Sequence, residues 1–197
     1  MGGMRGFSQL FRGVKSWLRV SSVVGATGAG EAWHALNDQV EDLYQAGAYE
    51  QAVVVARQAL EVAKADVGPD HPDVAASLNN LALLYRAQGQ YAQAELFHHR
   101  SLAIWESALG PEHPDTAIGL NNLAALCVVR GQYAQAEPIY SRALAIREKA
   151  LGPDHPDVAT SLENLAALYR AINRNSNAQK LEARAQLIRQ MSTRGKN

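Results

Sequence analysis

Gly68, Gly110 and Gly152 lie 42 residues apart, and the same interval separates Pro69, Pro111 and Pro153, then His71, His113 and His155, then Pro72, Pro114 and Pro156. Gly47, Gly89 and Gly131 repeat with it. A single fixed period constrains the fold more than any composition, because each unit has to bury its apolar face against a copy of itself. Between the two sets of punctuation the apolar residues have helical spacing. Leu78, Leu81, Ala82 and Tyr85 precede Gly89, and Tyr91, Ala94 and Ile104 follow it. Each unit therefore reads as helix, short turn, helix, longer loop. Pro72 suits a first helical position, where its missing N–H would have had no partner, and Asp73 puts negative charge at the positive end of the helix dipole.

Composition agrees with an all-helical chain. Ala and Leu, both strong helix formers, dominate, while aromatic residues make up only 7% of the 197 residues. One cysteine, Cys127, excludes a disulfide framework and a thiolate metal cluster, and it is expected to be a small buried hydrophobe. No apolar run reaches the roughly 18 residues that a membrane span requires. Gly25 and Gly30 have phosphate-loop spacing, but Glu31 and Ala32 stand where that loop needs Lys and Ser or Thr, so the stretch reads as a linker. The periodic histidines cannot share one zinc ion. Its donor atoms must lie within roughly 4 Å of each other, whereas neighbouring helices pack about 8 to 10 Å apart. His98 and His99 are adjacent on a helix and point in different directions. Every recurring polar residue follows the structural period, so no enzyme, metal or cofactor is expected.

The runs Ser77 to Tyr85, Gly89 to Glu95 and Ala143 to Val158 resemble the tetratricopeptide repeat in the 42-residue form typical of kinesin light chain and of bacterial proteins similar to it. The resemblance covers about residues 34 to 190 and implies an all-α, right-handed α-α superhelix, a tetratricopeptide repeat solenoid of four helix pairs. The expected repeats are 34–67, 68–109, 110–151 and 152–191. Repeat one reads as one residue short between Tyr44 and Gly47, relative to the step from Tyr85 to Gly89. Repeat four replaces the turn glycine with Asn173, Arg174 and Asn175, and its last helix, with Gln179, Lys180, Glu182, Arg184, Gln186 and Arg189, has the polar outer face of a cap that closes the array.

The resemblance also implies that the first helix of each pair lines a concave groove that holds a peptide or protein segment. The positions mapped onto that groove are Asp38, Gln39 and Asp42; Asn79, Asn80, Leu83 and Arg86; Asn121, Asn122, Ala125 and Val128; and Glu163, Asn164, Ala167 and Arg170. Peptide-binding candidates among them are Asn80, Asn122, Asn164, Arg86, Arg170, Asn79, Asn121, Asp38 and Asp42. An asparagine amide offers donors and an acceptor to an extended backbone. The same amides can instead bond to a neighbouring helix and align the repeats. Both roles stay open from sequence, with Asn80, Asn122 and Asn164 favoured for ligand over Asn79 and Asn121.

Residues 1–24 form a basic amphipathic segment. Phe7, Leu10, Phe11, Val14, Trp17 and Leu18 fall at i, i+3, i+4 spacing, with Arg12, Lys15 and Arg19 off that stripe. Three readings compete: a cap or groove occupant, a peripheral contact with a membrane or partner through residues 7–19, and a targeting peptide. Residues 25–33 read as a linker and 192–197 as a disordered tail. The function expected is a cytoplasmic, non-catalytic adaptor, with a membrane-recruited or self-associating scaffold as the alternative. Nineteen basic and nineteen acidic residues cancel to zero, which argues against nucleic acid as a partner. The zero is assembled from a basic start, an acidic body over residues 31 to 169 and a basic end. Association that weakens with ionic strength is the expected consequence, and sedimentation at two salt concentrations measures it; an unchanged monomer contradicts it.

Overall fold

In a computed structural model of the chain, residues 30 to 194 are described. They form eight α-helices and no strand: α1 (Glu31–Gln45), α2 (Tyr49–Val67), α3 (Pro72–Ala87), α4 (Tyr91–Ala108), α5 (Pro114–Val129), α6 (Tyr133–Leu151), α7 (Pro156–Ala171) and α8 (Asn175–Arg194). The amphipathic segment 1–24, with its membrane, groove and targeting readings, lies outside the described residues, as does most of the linker. α1 already begins at Glu31, inside the span expected to be linker, and α8 runs to Arg194, into the span expected to be tail. The helices divide into two compact units, one ending at Pro111 and the other starting at Glu112. Each contains two helix pairs.

The turn inside every pair is the same Schellman arrangement. In repeat two the Gln90 amide donates to the Tyr85 carbonyl at 2.8 Å and the Gly89 amide to the Arg86 carbonyl at 3.0 Å. The matching long bonds elsewhere are Ala48 to Leu43 at 2.9 Å, Gln132 to Cys127 at 2.8 Å and Arg174 to Tyr169 at 2.8 Å. The residue after the helix must adopt positive φ, and it is Gly47, Gly89 and Gly131 in the first three repeats and Asn173, at φ 61°, in the fourth. Asparagine tolerates this conformation better than other side chains do.

These bonds correct the register of repeat one. The residue equivalent to Tyr85 is Leu43, so the period runs through unbroken and no residue is missing; Tyr44 stands at the place of Arg86. Asp38 then aligns with Asn80, Asn122 and Asn164, whereas Asp42 aligns with Leu84, Leu126 and Leu168. Those three leucines are buried and Asp42 is exposed. Asp42 thus occupies a position that packs between helices in the later repeats, and is not in line with the asparagines.

The helices that open repeats two, three and four start on a histidine. Nδ1 of His71, His113 and His155 accepts the amide N–H of Asp73, Asp115 and Asp157, each at 3.2 Å, and proline is the first helical residue. The imidazole takes the place of the usual Ser, Thr, Asp or Asn cap.

Small residues line the pair contacts: Ala52, Ala56, Ala59 and Ala63 on α2 are buried, as are Ala82 on α3 and Ala94 on α4. In the second unit, Val158, Ala159, Leu162, Ala185 and Ile188 form a closed cluster with Leu144 and Leu181 against it. α8 is tied over this cluster by ion pairs: Arg184 to Glu148 at 2.5 Å, Arg189 to Glu163 at 3.0 Å and Arg170 to Glu182 at 2.6 Å. All six side chains are about a third to nearly half exposed, so each pair contributes about 1 kcal/mol or less.

Gly89→Ala is expected to cost about 1 to 2 kcal/mol, since no atom lies within 4 Å of the added Cβ and the penalty is that of the backbone alone. Asn173→Gly, at the equivalent turn, is expected to be close to neutral; thermal melts of the two variants test the pair.

Candidate functional site

In the first unit the first-helix surface is built by α1 and α3. The Trp33 indole Nε1 donates to Ser77 Oγ at 2.8 Å, and Ser77 Oγ donates to the Asp73 carbonyl at 3.0 Å. Asn80 Nδ2 donates to Asn37 Oδ1 at 2.8 Å, and Asn37 Nδ2 donates to the Trp33 carbonyl at 2.8 Å. Asn37, which the sequence reading passed over, is therefore the relay by which Asn80 reaches α1. Its periodic match to Asn79 was the available signal. Asn80 is buried, and its Oδ1 has no hydrogen-bond partner among the described residues. Asn79 and Arg86 are buried as well. Burial raises the Tyr44 phenol above its ordinary value, and the neighbouring Arg86 partly offsets this. Asp38 is exposed on α1.

In the second unit α5 and α7 provide the corresponding surface. Asn121 Nδ2 donates to Ser161 Oγ at 3.2 Å, and Arg147 Nη1 donates to the same oxygen at 2.9 Å and to the Asp157 carbonyl at 3.1 Å. Burial lowers the Arg147 guanidinium from its ordinary value, with Asp157 opposing the shift. Asn122 is buried, and so is Asn164, whose Nδ2 has no partner among the described residues. Arg170 is exposed and engaged by Glu182 through two bonds, Nε to Oε1 at 2.9 Å and Nη2 to Oε2 at 2.6 Å. Its charge is thus committed to α8.

The two asparagine roles separate by atom. For Asn80 and Asn121 one amide hydrogen goes to the adjoining first helix, while Oδ1 of each is buried without a partner. A buried polar atom left in that state costs about 1 to 3 kcal/mol.

The histidines divide by place. His71, His113 and His155 are helix caps, and His99 is exposed while His98 is fully buried on α4. His98 falls in register with Ala56 and Tyr140, both buried, which is the sequence signal that marks it as a core residue. Burial, then the charges of Arg86 and His99, push it down to about 3, and neither ring nitrogen has a partner among the described residues. Cys127 is buried. Among the described residues no group of three or more His, Cys, Asp or Glu side chains could hold a metal ion, and no helix is long and apolar enough to cross a membrane.

Helix pairs with one turn geometry, one cap and a fixed period define a helical-repeat protein of the kind that stacks pairs. Residues 34–73 and 74–115 match one model of the tetratricopeptide repeat and residues 118–190 match another, and the chain belongs to the tetratricopeptide-repeat family. Among solved structures it is similar to BtubC (BKLC) from P. vanneervenii, at 22% identity over 96% of this chain and 77% of that one, with a TM-score of 0.71. It is also similar to a putative kinesin light chain from Podosopora anserina with nearly identical TPR-like repeats, at 23% identity over 95% and 90% of the two chains, with a TM-score of 0.63. These likenesses establish an all-α fold of the kinesin-light-chain-like tetratricopeptide kind. A comparison with curated proteins finds no match. Tetratricopeptide repeats are in general non-catalytic scaffolds for protein–protein interaction.

His98 carries a pH dependence. Its folded-state value lies below the unfolded one, so the stability due to its neutral form is fully present above about pH 6.5 and is lost as pH falls toward 3. Urea titrations at about pH 7.5 and pH 5 are expected to differ by about 2 kcal/mol from this residue, and His98→Leu removes that share of the difference.

Proposed function

We propose that this chain is a non-catalytic adaptor that holds an extended peptide or protein segment along the first helices of its repeats. The observation that carries this reading is an amide that recurs at one first-helix position, Asn80 and Asn164 among them, each side chain offering both a donor and an acceptor. An extended backbone presents both kinds of partner at regular intervals and demands no particular side chain. Asn122 stands at the matching position of repeat three and Asp38 at that of repeat one. In sequence order the position is thus a carboxylate followed by three amides.

Charge sets the polarity of the ligand. α1 carries Glu31, Asp38, Glu41 and Asp42 with no Lys or Arg, so the segment that lies over it is basic. At the other end the Arg170 charge is matched by Glu182, and recognition there rests on Asn164 and not on a free cation. Arg86 is buried beside Tyr44, where it serves the α1–α3 contact.

Peptides selected from a random library on the full chain test the assignment. Asn80→Ala and Asn164→Ala are each expected to weaken a selected peptide by about tenfold, the loss of one hydrogen bond to a shielded amide, with the melting temperature changed by only a few degrees. Affinities unchanged in both variants sink the reading. So does a selected peptide that is acidic over its whole length.

A further inference from the structure

We propose that α8 is a self-association surface: the full chain pairs with a second copy through antiparallel contact of the two α8 helices, with Lys180 of each copy seated at Asp154 of the other. The proposal is independent of the reading above, since it uses the outer side of the last helix and none of the asparagines.

The last helix of a repeat array ordinarily turns a polar side to water. α8 departs from this. Leu187 is 56% exposed and Met191 is 42% exposed, and Ala183 is exposed one turn before Leu187. Positions 183, 187 and 191 follow at i, i+4 and i+8, so they form one stripe. Lys180 lies on it too, because the step from Lys180 to Leu187 ends only about 20° short of two full turns. The charges beside the stripe are spent on the body of the same unit. Glu182 is bound to Arg170, Arg184 to Glu148 and Arg189 to Glu163, whereas Lys180 is exposed and takes part in none of these pairs.

Met191 also belongs to a second feature. With Leu151, Pro153, Asp154 and Pro156 it lines an open pocket of about 540 Å³. One repeat earlier the corresponding residues are Lys149 and Glu112, and those two form an ion pair. In repeat four the acid is kept, as exposed Asp154, and the lysine is replaced by Met191. The pocket therefore offers a carboxylate beside an apolar wall. A lysine that arrives from outside, with its methylenes on Met191 and its charge at Asp154, matches both.

A second copy supplies that lysine on the same helix. Two α8 helices packed antiparallel, with the two-fold level with the midpoint between Lys180 and Met191, place Lys180 of each copy opposite Met191 of the other. Leu187 then lies against Ala183 of the second copy and the stem of its Arg184. Both lysines are seated together, because a two-fold contact makes every pairing twice. A parallel arrangement would set Lys180 against Lys180 and leave Asp154 without a cation. Contact along a few turns of one helix buries less than the roughly 1,200 Å² of a stable complex, so the dimer is weak and its share rises with concentration.

Sedimentation velocity on the full chain between about 10 and 500 µM reads this association, and the dimer fraction is expected to rise with concentration and to fall when NaCl is raised to about 0.5 M. Leu187→Glu sets a carboxylate in the apolar contact and is expected to weaken the dimer at least about tenfold. Val54→Glu, at a residue of similar exposure on α2, is expected to leave it unchanged. Lys180→Glu and Asp154→Lys each turn two attractions into two repulsions and are each expected to weaken it about tenfold, while the double variant Lys180→Glu/Asp154→Lys restores it to within about twofold. All these positions are exposed, and unchanged thermal melts check that the fold is kept. A chain that stays monomeric at every concentration overturns the proposal. So does a dimer that survives Leu187→Glu, one that Val54→Glu abolishes equally, or a double variant no stronger than the two single ones.

Discussion

Two antiparallel helices bury the seam between them and leave one apolar side open, which only another pair can cover. The rest of this structure depends on that. It explains why the period is fixed, since a neighbour that arrives one residue late presents the wrong face. It explains why alanine collects at the contacts, where the helices approach closely. It also explains why polar atoms are found deep in a repeat protein. Trp33, Ser77, Asn80 and Asn37 bond from one first helix to the next, and Asn121 and Ser161 do so in the second unit, where Arg147 of α6 donates to the same Ser161 oxygen. A stack held by apolar contact alone would tolerate sliding along the helix axis, whereas a directional bond of 2.8 Å does not.

Much of this was legible as soon as the period was seen. The positive-φ glycines, the proline at each helix start and the core leucines all follow from residue types at fixed intervals. What failed was register in repeat one. Tyr44 looks like the counterpart of Tyr85, but backbone bonding makes Leu43 the counterpart, and side-chain likeness is a poorer guide than the turn that ends the helix. The error carried over to Asp42. The histidine caps were half legible: their place at the helix start was plain, whereas imidazole Nδ1 as the acceptor was not, because the residues that usually cap are Ser, Thr, Asp and Asn. Buried Arg147 was opaque, for its matches are Ala63 in repeat one, Trp105 in repeat two and the half-exposed Arg189 in repeat four, so the period does not predict a buried guanidinium.

The asparagines show where sequence reasoning meets a real limit. An amide has two ends, and residue type cannot tell which end is spent on the neighbouring helix. For Asn80 the donor is spent and the acceptor is not; Asn121 divides in the same way. Alignment and recognition are therefore roles that a single side chain can carry on different atoms. A substitution by aspartate keeps the acceptor and removes the donor, so it separates the two where alanine cannot.

Repeats two to four are nearly interchangeable in their loops, turns and caps. Chains built of like units face a problem of indexing: a helix pair that docks one place early satisfies almost the same contacts. The dissimilar ends resolve it. Gln39 and Asp42 on α1 stand where α3 has Leu81 and Leu84, and Glu182 and Gln186 on α8 stand where α6 has Tyr140 and Leu144. A pair that tried to dock against those faces would meet an amide or a carboxylate in place of a methyl-rich surface. Information about order in the array is thus held by its least regular members, and folding errors such as exchange of helix pairs between copies are to be sought in variants that make the ends resemble the middle.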